Sequence, residues 1–155
     1  MPLKRKPALV KSTKKQLPLR DEVKATIKWL EEKSTEHDRK NLTRFAISTD
    51  KAFGVSMANM KQLAKRLGPN HELAAALWDT GWYEARMLAS LVDEPTRVMP
   101  AQMERWCRDF DNWAICDTVC FALFDRTPHA WGGVAPARRV RQARGIRPVV
   151  GTYGA

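Results

Sequence analysis

A chain of 155 residues and 17.7 kDa, 44% hydrophobic and 28% charged, suffices for one sizeable core and excludes a multidomain machine. Its mean hydropathy of −0.46, with no apolar run near the ~18 residues that cross a bilayer, reads as soluble with no membrane span. The net charge of +10 invites a polyanionic partner, but residues 1–20 hold seven Lys or Arg and 126–155 hold six, both without acid, while 21–125 hold 14 basic against 17 acidic residues.

The first 20 residues set Pro2, Pro7 and Pro18 among lysines with no sustained apolar period, which predicts a disordered basic arm. The arm has neither an apolar h-region nor a small-residue cleavage site, so it is not a secretory signal. A mobile arm binds phosphate without making any folded face a nucleic-acid surface. From Asp21 the pattern becomes helical: Val23, Ile27 and Leu30 recur at intervals of four and three, predicting an amphipathic helix to about Glu36. A shorter helix is expected over Arg39–Ile47. Ser56 then caps a helix through Met60, Leu63 and Leu67 that Gly68-Pro69 stops.

Asn70 caps His71–Thr80, whose Leu73, Ala74, Leu77 and Trp78 form one apolar stripe ended by Gly81. Tyr83–Leu91 follows, then a turn at Asp93-Glu94-Pro95, and Pro100 opens Ala101–Phe110 with Met103 and Trp106 inward. Asp111-Asn112 caps Trp113–Phe124, and Arg126-Thr127-Pro128 ends it. No stretch of 21–125 alternates like a strand, so the reading is all-α, with short connections and helices of ~10–13 residues in consecutive antiparallel pairs. Such pairs suit an αα-hairpin solenoid, and a compact bundle is the alternative.

Cys116 and Cys120 lie one turn apart, with Cys107 on the preceding helix. An odd set of three excludes a disulfide framework and suits a reducing cytoplasm, and without a CxxC pair or partnered histidines the thiols read as small buried hydrophobes, with no metal or other cofactor expected. Lys61, Lys65, Arg66, Arg86, Arg105 and Arg108 are candidates for a phosphate-tracking face, against the commoner reading of a solvated surface. Trp29, Trp78, Trp82 and Trp106 at helical spacing are expected in the core.

The runs GVSMANMKQLAKRLG from Gly54, HELAAALWDTGWYEARMLASLVDEP from His71 and QMERWCRDFDNWAICDTVC from Gln102 resemble the bacterial DNA alkylation repair family typified by AlkD. The likeness spans roughly 50–131, most specifically in LW-x-TG-x-YEAR-x-LA and DF-x-x-W-x-x-x-D. It implies a HEAT-like α-solenoid over 21–131 wrapped around duplex DNA carrying alkylated bases. The implied activity is hydrolysis of the glycosidic bond of N3- or N7-alkylated purines without base flipping, by a cytoplasmic monomer. Carried across by motif, the family's catalytic Asp falls on Asp117 and its site Trp on Trp113.

That spacing is physically coherent, since residues i and i+4 share a helix face and project an indole and a carboxylate together. An alkylated purine is already a cationic leaving group, so no general acid is needed. A preoriented carboxylate can stabilise the oxocarbenium-like sugar and place the attacking water, while an indole packs the deoxyribose and favours a cationic nucleotide by about 1 kcal/mol. The plainer readings are a solvated, dipole-stabilised Asp117 and a core or staple Trp113.

After Trp131 the resemblance stops: GGVAPARRVRQARGIRPVVGTYGA, residues 132–155, has five Gly, no acid and no helical period. The family's later repeats, which supply a further Trp and Arg, have no counterpart here. Val140–Ala155 can be encoded so that reading one base later gives FVKRAAFALLWALTA, a helical apolar segment of the kind the fold needs. The tail is therefore expected to be aberrant, from a single-base frameshift that leaves the solenoid incomplete and activity in doubt. Resequencing that finds an undisturbed frame with no such helix downstream removes this expectation. The competing functional readings are a noncatalytic HEAT-like module binding DNA or protein, which predicts binding that survives Asp117→Asn, and an inert truncated product.

Overall fold

Local capping sets the helix boundaries. The computed structural model describes residues 17–130, so most of the expected arm at 1–20, and the whole expected aberrant tail at 132–155, lie outside the described residues. Helix α1, Leu19–Glu32, begins directly after Pro18 with Asp21 and Glu22 in its first turn, so the last two residues assigned to the arm are helical. It ends before the expected Glu36 because Thr35 opens α2, Glu36–Arg44. The Thr35 hydroxyl accepts the Asp38 N–H at 3.0 Å and donates to the Asp38 carboxylate at 2.8 Å, while the Thr35 N–H goes to the Gly54 carbonyl at 2.8 Å.

Helix α2 also stops earlier than the expected Ile47. The Ile47 N–H bonds to the Leu42 carbonyl and the Ala46 N–H to that of Thr43, with Ala46 at φ 56°, which together form a Schellman motif. An alanine stands where glycine is usual, so the motif has no signature in the sequence. Ile47, just beyond it, is buried in the core.

The remaining elements lie close to expectation. Ser56, Asn70 and Asn112 accept the N–H of Asn59, Leu73 and Ile115, capping α3 (Met57–Leu67), α4 (His71–Asp79) and α7 (Trp113–Ala122). Helix α3 stops at Gly68, φ 75°; α5 spans Tyr83–Val92, and α6 spans Pro100–Arg108 with its proline at the first helical position. Among the described residues there is no strand, only these seven helices and two short 3-10 turns at Pro95–Arg97 and Phe124–Arg126.

Two helical layers result. Helix α5 packs against α3 on one side and α7 on the other, and α4 packs on both α5 and α1. Glu84 at the start of α5 binds the chain entering α3, while Leu91 near its end lies beside Ala64 and Gly68 at the end of α3, so α3 and α5 run parallel. Asp111, just before α7, lies close enough to Tyr83 to act on its hydroxyl, which places the starts of α5 and α7 together as well. In the other layer Trp78 of α4 and Trp106 of α6 stack at 4.0 Å with their planes 3° apart, both fully buried. Trp29 and Trp82, expected in the core, are only partly buried, and Trp82 stacks on Phe53 at 4.2 Å.

One buried carboxylate holds the α2–α3 connection to α5. Glu84 has no exposed surface, and its two oxygens accept the N–H of Phe53 at 3.0 Å, Gly54 at 2.8 Å and Val55 at 3.3 Å. Gly54 sits at φ 86° against α2; a Cβ there would lie 2.7 Å from the Arg39 nitrogen and 2.8 Å from the Thr35 oxygen. By urea unfolding, Glu84→Ala should cost roughly 4 kcal/mol by orphaning buried N–H groups, and Gly54→Ala roughly 3 kcal/mol. Ala46→Gly should instead add about 1 kcal/mol by relieving the left-handed alanine.

Candidate functional site

Helix α7 presents the two residues singled out by motif. Asn112 caps it, so Trp113 opens the first turn and Asp117 follows one turn later on the same face, with Phe121 a further turn on. Trp113 and Asp117 are half-buried, and Phe121 is 68% exposed. The Asp117 side chain is neither packed wholly inward nor standing free in solvent: its Oδ1 is closed off from water while the residue keeps exposed surface.

Trp113 is held by a residue far away in sequence. Its indole N–H donates to the Phe45 carbonyl at 3.0 Å, and the two rings meet edge to face with centroids 6.2 Å apart. Phe45 is the C-cap of α2 and is 57% exposed. The left-handed Ala46 turns the chain sharply after it, so backbone strain is stored beside Trp113. An exposed aromatic thus flanks the indole, with the carboxylate one turn along. No sequence signal marked Phe45, because only the folded α2–α3 connection brings it to α7.

The candidate phosphate contacts divide. Arg86 is internal: its guanidinium bonds to the Trp78 carbonyl at 3.5 Å and the Asp109 carbonyl at 3.3 Å, and lies 5.2 Å over the Trp78 ring. Asp109 in turn accepts the Trp78 indole N–H at 2.8 Å, so this Arg–Trp–Asp set joins one helix pair to the next. Arg105 reaches Asp79 at 3.7 Å and Arg108 reaches Glu104 at 3.5 Å, both on exposed ground where such pairs contribute little. Lys61 and Lys65 line an open groove with Ala64 and Leu91, and Arg66 lies 5.5 Å from the centre of the Trp29 ring.

Among the described residues no group of three His, Cys, Asp or Glu side chains is placed to hold a metal. Cys107 and Cys116 are buried and Cys120 is partly so. Burial, with Cys116 nearby, pushes the Cys107 thiol up to about 12, and a hydrogen bond with Cys116 together with burial raises that of Cys120. Protonated thiols of this kind are poor nucleophiles and poor metal ligands.

Comparison with known proteins bears on the family and the fold. The DNA alkylation repair enzyme family matches residues 26–131. A solved structure, described as from a new family related to the HEAT-like repeat DNA glycosylases with affinity for branched DNA structures, superposes with a TM-score of 0.68 at 23% identity. That match covers 79% of this chain and 54% of the other, so this chain spans about half the length of its solved relative. None of the curated proteins matches. The fold is thus the HEAT-like repeat fold of the DNA glycosylases. The chain belongs to the DNA alkylation repair enzyme family.

The buried thiol and the shielded Tyr83 give an alkaline signature. Cys107 ionises near 9.0 when free and near 12 when folded, so its contribution is complete below pH 9 and lost as pH rises toward 12. Tyr83, raised above its usual 10.0 by burial and by Glu84 and Asp111, acts in the same direction at the upper end. Urea midpoints should therefore fall across that window, and Cys107→Val should flatten the lower part of the decline.

Proposed function

We propose that the chain acts in DNA repair by releasing N3- or N7-alkylated purines from duplex DNA, with Asp117 as electrostatic catalyst and Trp113 as the sugar-packing partner. The observation that carries this reading is the pairing of a partly exposed indole and a partly shielded carboxylate on one face of α7, flanked by exposed Phe45. Breaking the C1′–N bond sends its electron pair to the cationic purine, which leaves neutral, so no acid is required. The positive charge passes to the sugar. A carboxylate in partly excluded solvent stabilises that charge more strongly than one in bulk water, and directs the water that adds to C1′ and then loses its proton. The Trp113 face attracts the same positive charge.

A second reading has its own support. The solved relative is described as having affinity for branched DNA structures. Under that reading the α7 face contacts DNA without chemistry.

Release of N7-methylguanine from methylated duplex DNA by the full chain separates the two. Asp117→Asn should lower the rate by roughly 100-fold and Trp113→Ala by roughly tenfold, both with duplex affinity kept within a few-fold. Wild-type protein that binds the duplex and releases no base overturns the glycosylase reading and leaves the binding reading standing.

A further inference from the structure

Phe121 is the most exposed large apolar side chain among the described residues, at 68%, and it stands on the helix that carries the candidate pair. Trp113, Asp117 and Phe121 recur every four residues along α7, and each step turns the row about 40° around the helix axis. Trp113 and Asp117 are half-buried, while Phe121, last in the row, is turned furthest out. Among the described residues no aromatic ring meets Phe121, whereas the Trp113 ring meets Phe45. The helix also gives a polyanion nothing to pair with, because WAICDTVCFA holds one acid and no base. A duplex lying on α7 is therefore held there by apolar contact, since Asp117 repels phosphate and no α7 cation offsets it.

Side-chain reach decides where the Phe121 ring goes. For the Asp117 carboxylate to lie against C1′ of a nucleotide, α7 must come close to the sugar at the edge of the minor groove. A phenyl ring extends further from its backbone than a carboxylate does, so Phe121 then passes the sugar rim and enters the groove. It stands about 6 Å along α7 from Asp117, and a strand rises about 3.4 Å per nucleotide, so the ring meets the duplex within about two steps of the target sugar. The minor groove of B-DNA is about 6 Å wide, which admits a ring edge first, and apolar side chains inserted there partly unstack a base step and bend the duplex.

We propose that Phe121 is a minor-groove wedge, which enters the duplex beside the nucleotide addressed by Asp117 and loosens the stack there without turning a base out. The proposal rests on the reading that the α7 face takes duplex DNA, but not on base release. A loosened stack lets the neighbouring sugar approach the carboxylate. The wedge is thus a specificity-determining residue, favouring targets beside pyrimidine–purine steps, which unstack most easily.

The test uses the full chain and a duplex holding one tetrahydrofuran abasic site, whose bare sugar stands in for the reacting nucleotide. The fluorescent base 2-aminopurine, which brightens on unstacking, is placed either next to that site or half a helical turn away. Wild type should brighten the near probe by about twofold or more and leave the far probe unchanged. Phe121→Ser should abolish the brightening and weaken binding roughly fivefold to tenfold, while Phe121→Leu, which is also an apolar wedge, keeps most of both. The dependence of affinity on salt should be the same in all three proteins, since no phosphate contact is lost, and the melting temperature should hold because the ring is exposed. Phe121→Ser that binds and brightens like wild type overturns the wedge, and so does a loss of affinity with the brightening intact. Wild type that sediments as a dimer, with Phe121→Ser a monomer, assigns the ring to a second copy of the chain and also overturns it. Release of N7-methylguanine is measured separately. Brightening without base release removes the glycosylase reading and leaves the wedge, base release without brightening does the reverse, and a duplex that does not bind removes both.

Discussion

The site depends on a buried carboxylate that takes no part in it. Glu84, with no exposed surface, accepts three successive backbone N–H groups from Phe53 to Val55. A turn that runs against a helical layer would otherwise carry unsatisfied donors, each costing about 1–3 kcal/mol when buried. Satisfying them with the two oxygens of one side chain fixes the α2–α3 connection on α5, the helix that touches both α3 and α7. The close passage of Gly54 over Thr35 and Arg39 is the steric side of the same constraint.

From that anchor the geometry propagates to the α7 face. Once the connection is pinned, the end of α2 is directed toward the start of α7, and the left-handed turn at Ala46 leaves the Phe45 carbonyl facing the Trp113 indole. The indole is therefore oriented by a backbone group from the opposite end of the described fold. An aromatic side chain fixed in this way loses little further entropy when it meets a ligand, which favours preorganised contact over contact made by a free surface residue.

Charge is distributed to match. The arginines of the α5–α6 region are paired with Asp109, Asp79, Glu72, Glu94 and Glu104, and the Arg86 set with Trp78 and Asp109 joins one helix pair to the next. Lys61 and Lys65, on the open groove beside Leu91, are not neutralised in this way. A net charge of +10 consequently says little about where a polyanion would sit, since much of it lies in the chain ends and part of the remainder is consumed internally.

Much of the helical frame was legible in the residues alone. Ser56, Asn70 and Asn112 cap helices as their side-chain chemistry requires, Gly68 ends one in a backbone region alanine disfavours, and the spacing of Trp113 and Asp117 places them on one face. These are local effects, set within a turn or two of chain. What the sequence could not reveal acts across long separations: Glu84 bonding back some thirty residues, Phe45 meeting Trp113, Arg86 drawn inward by Trp78 and Asp109, and Ala46 held left-handed against its own preference. Each of these is decided by which buried donor needs an acceptor once the layers have packed, and no periodicity in the chain encodes that.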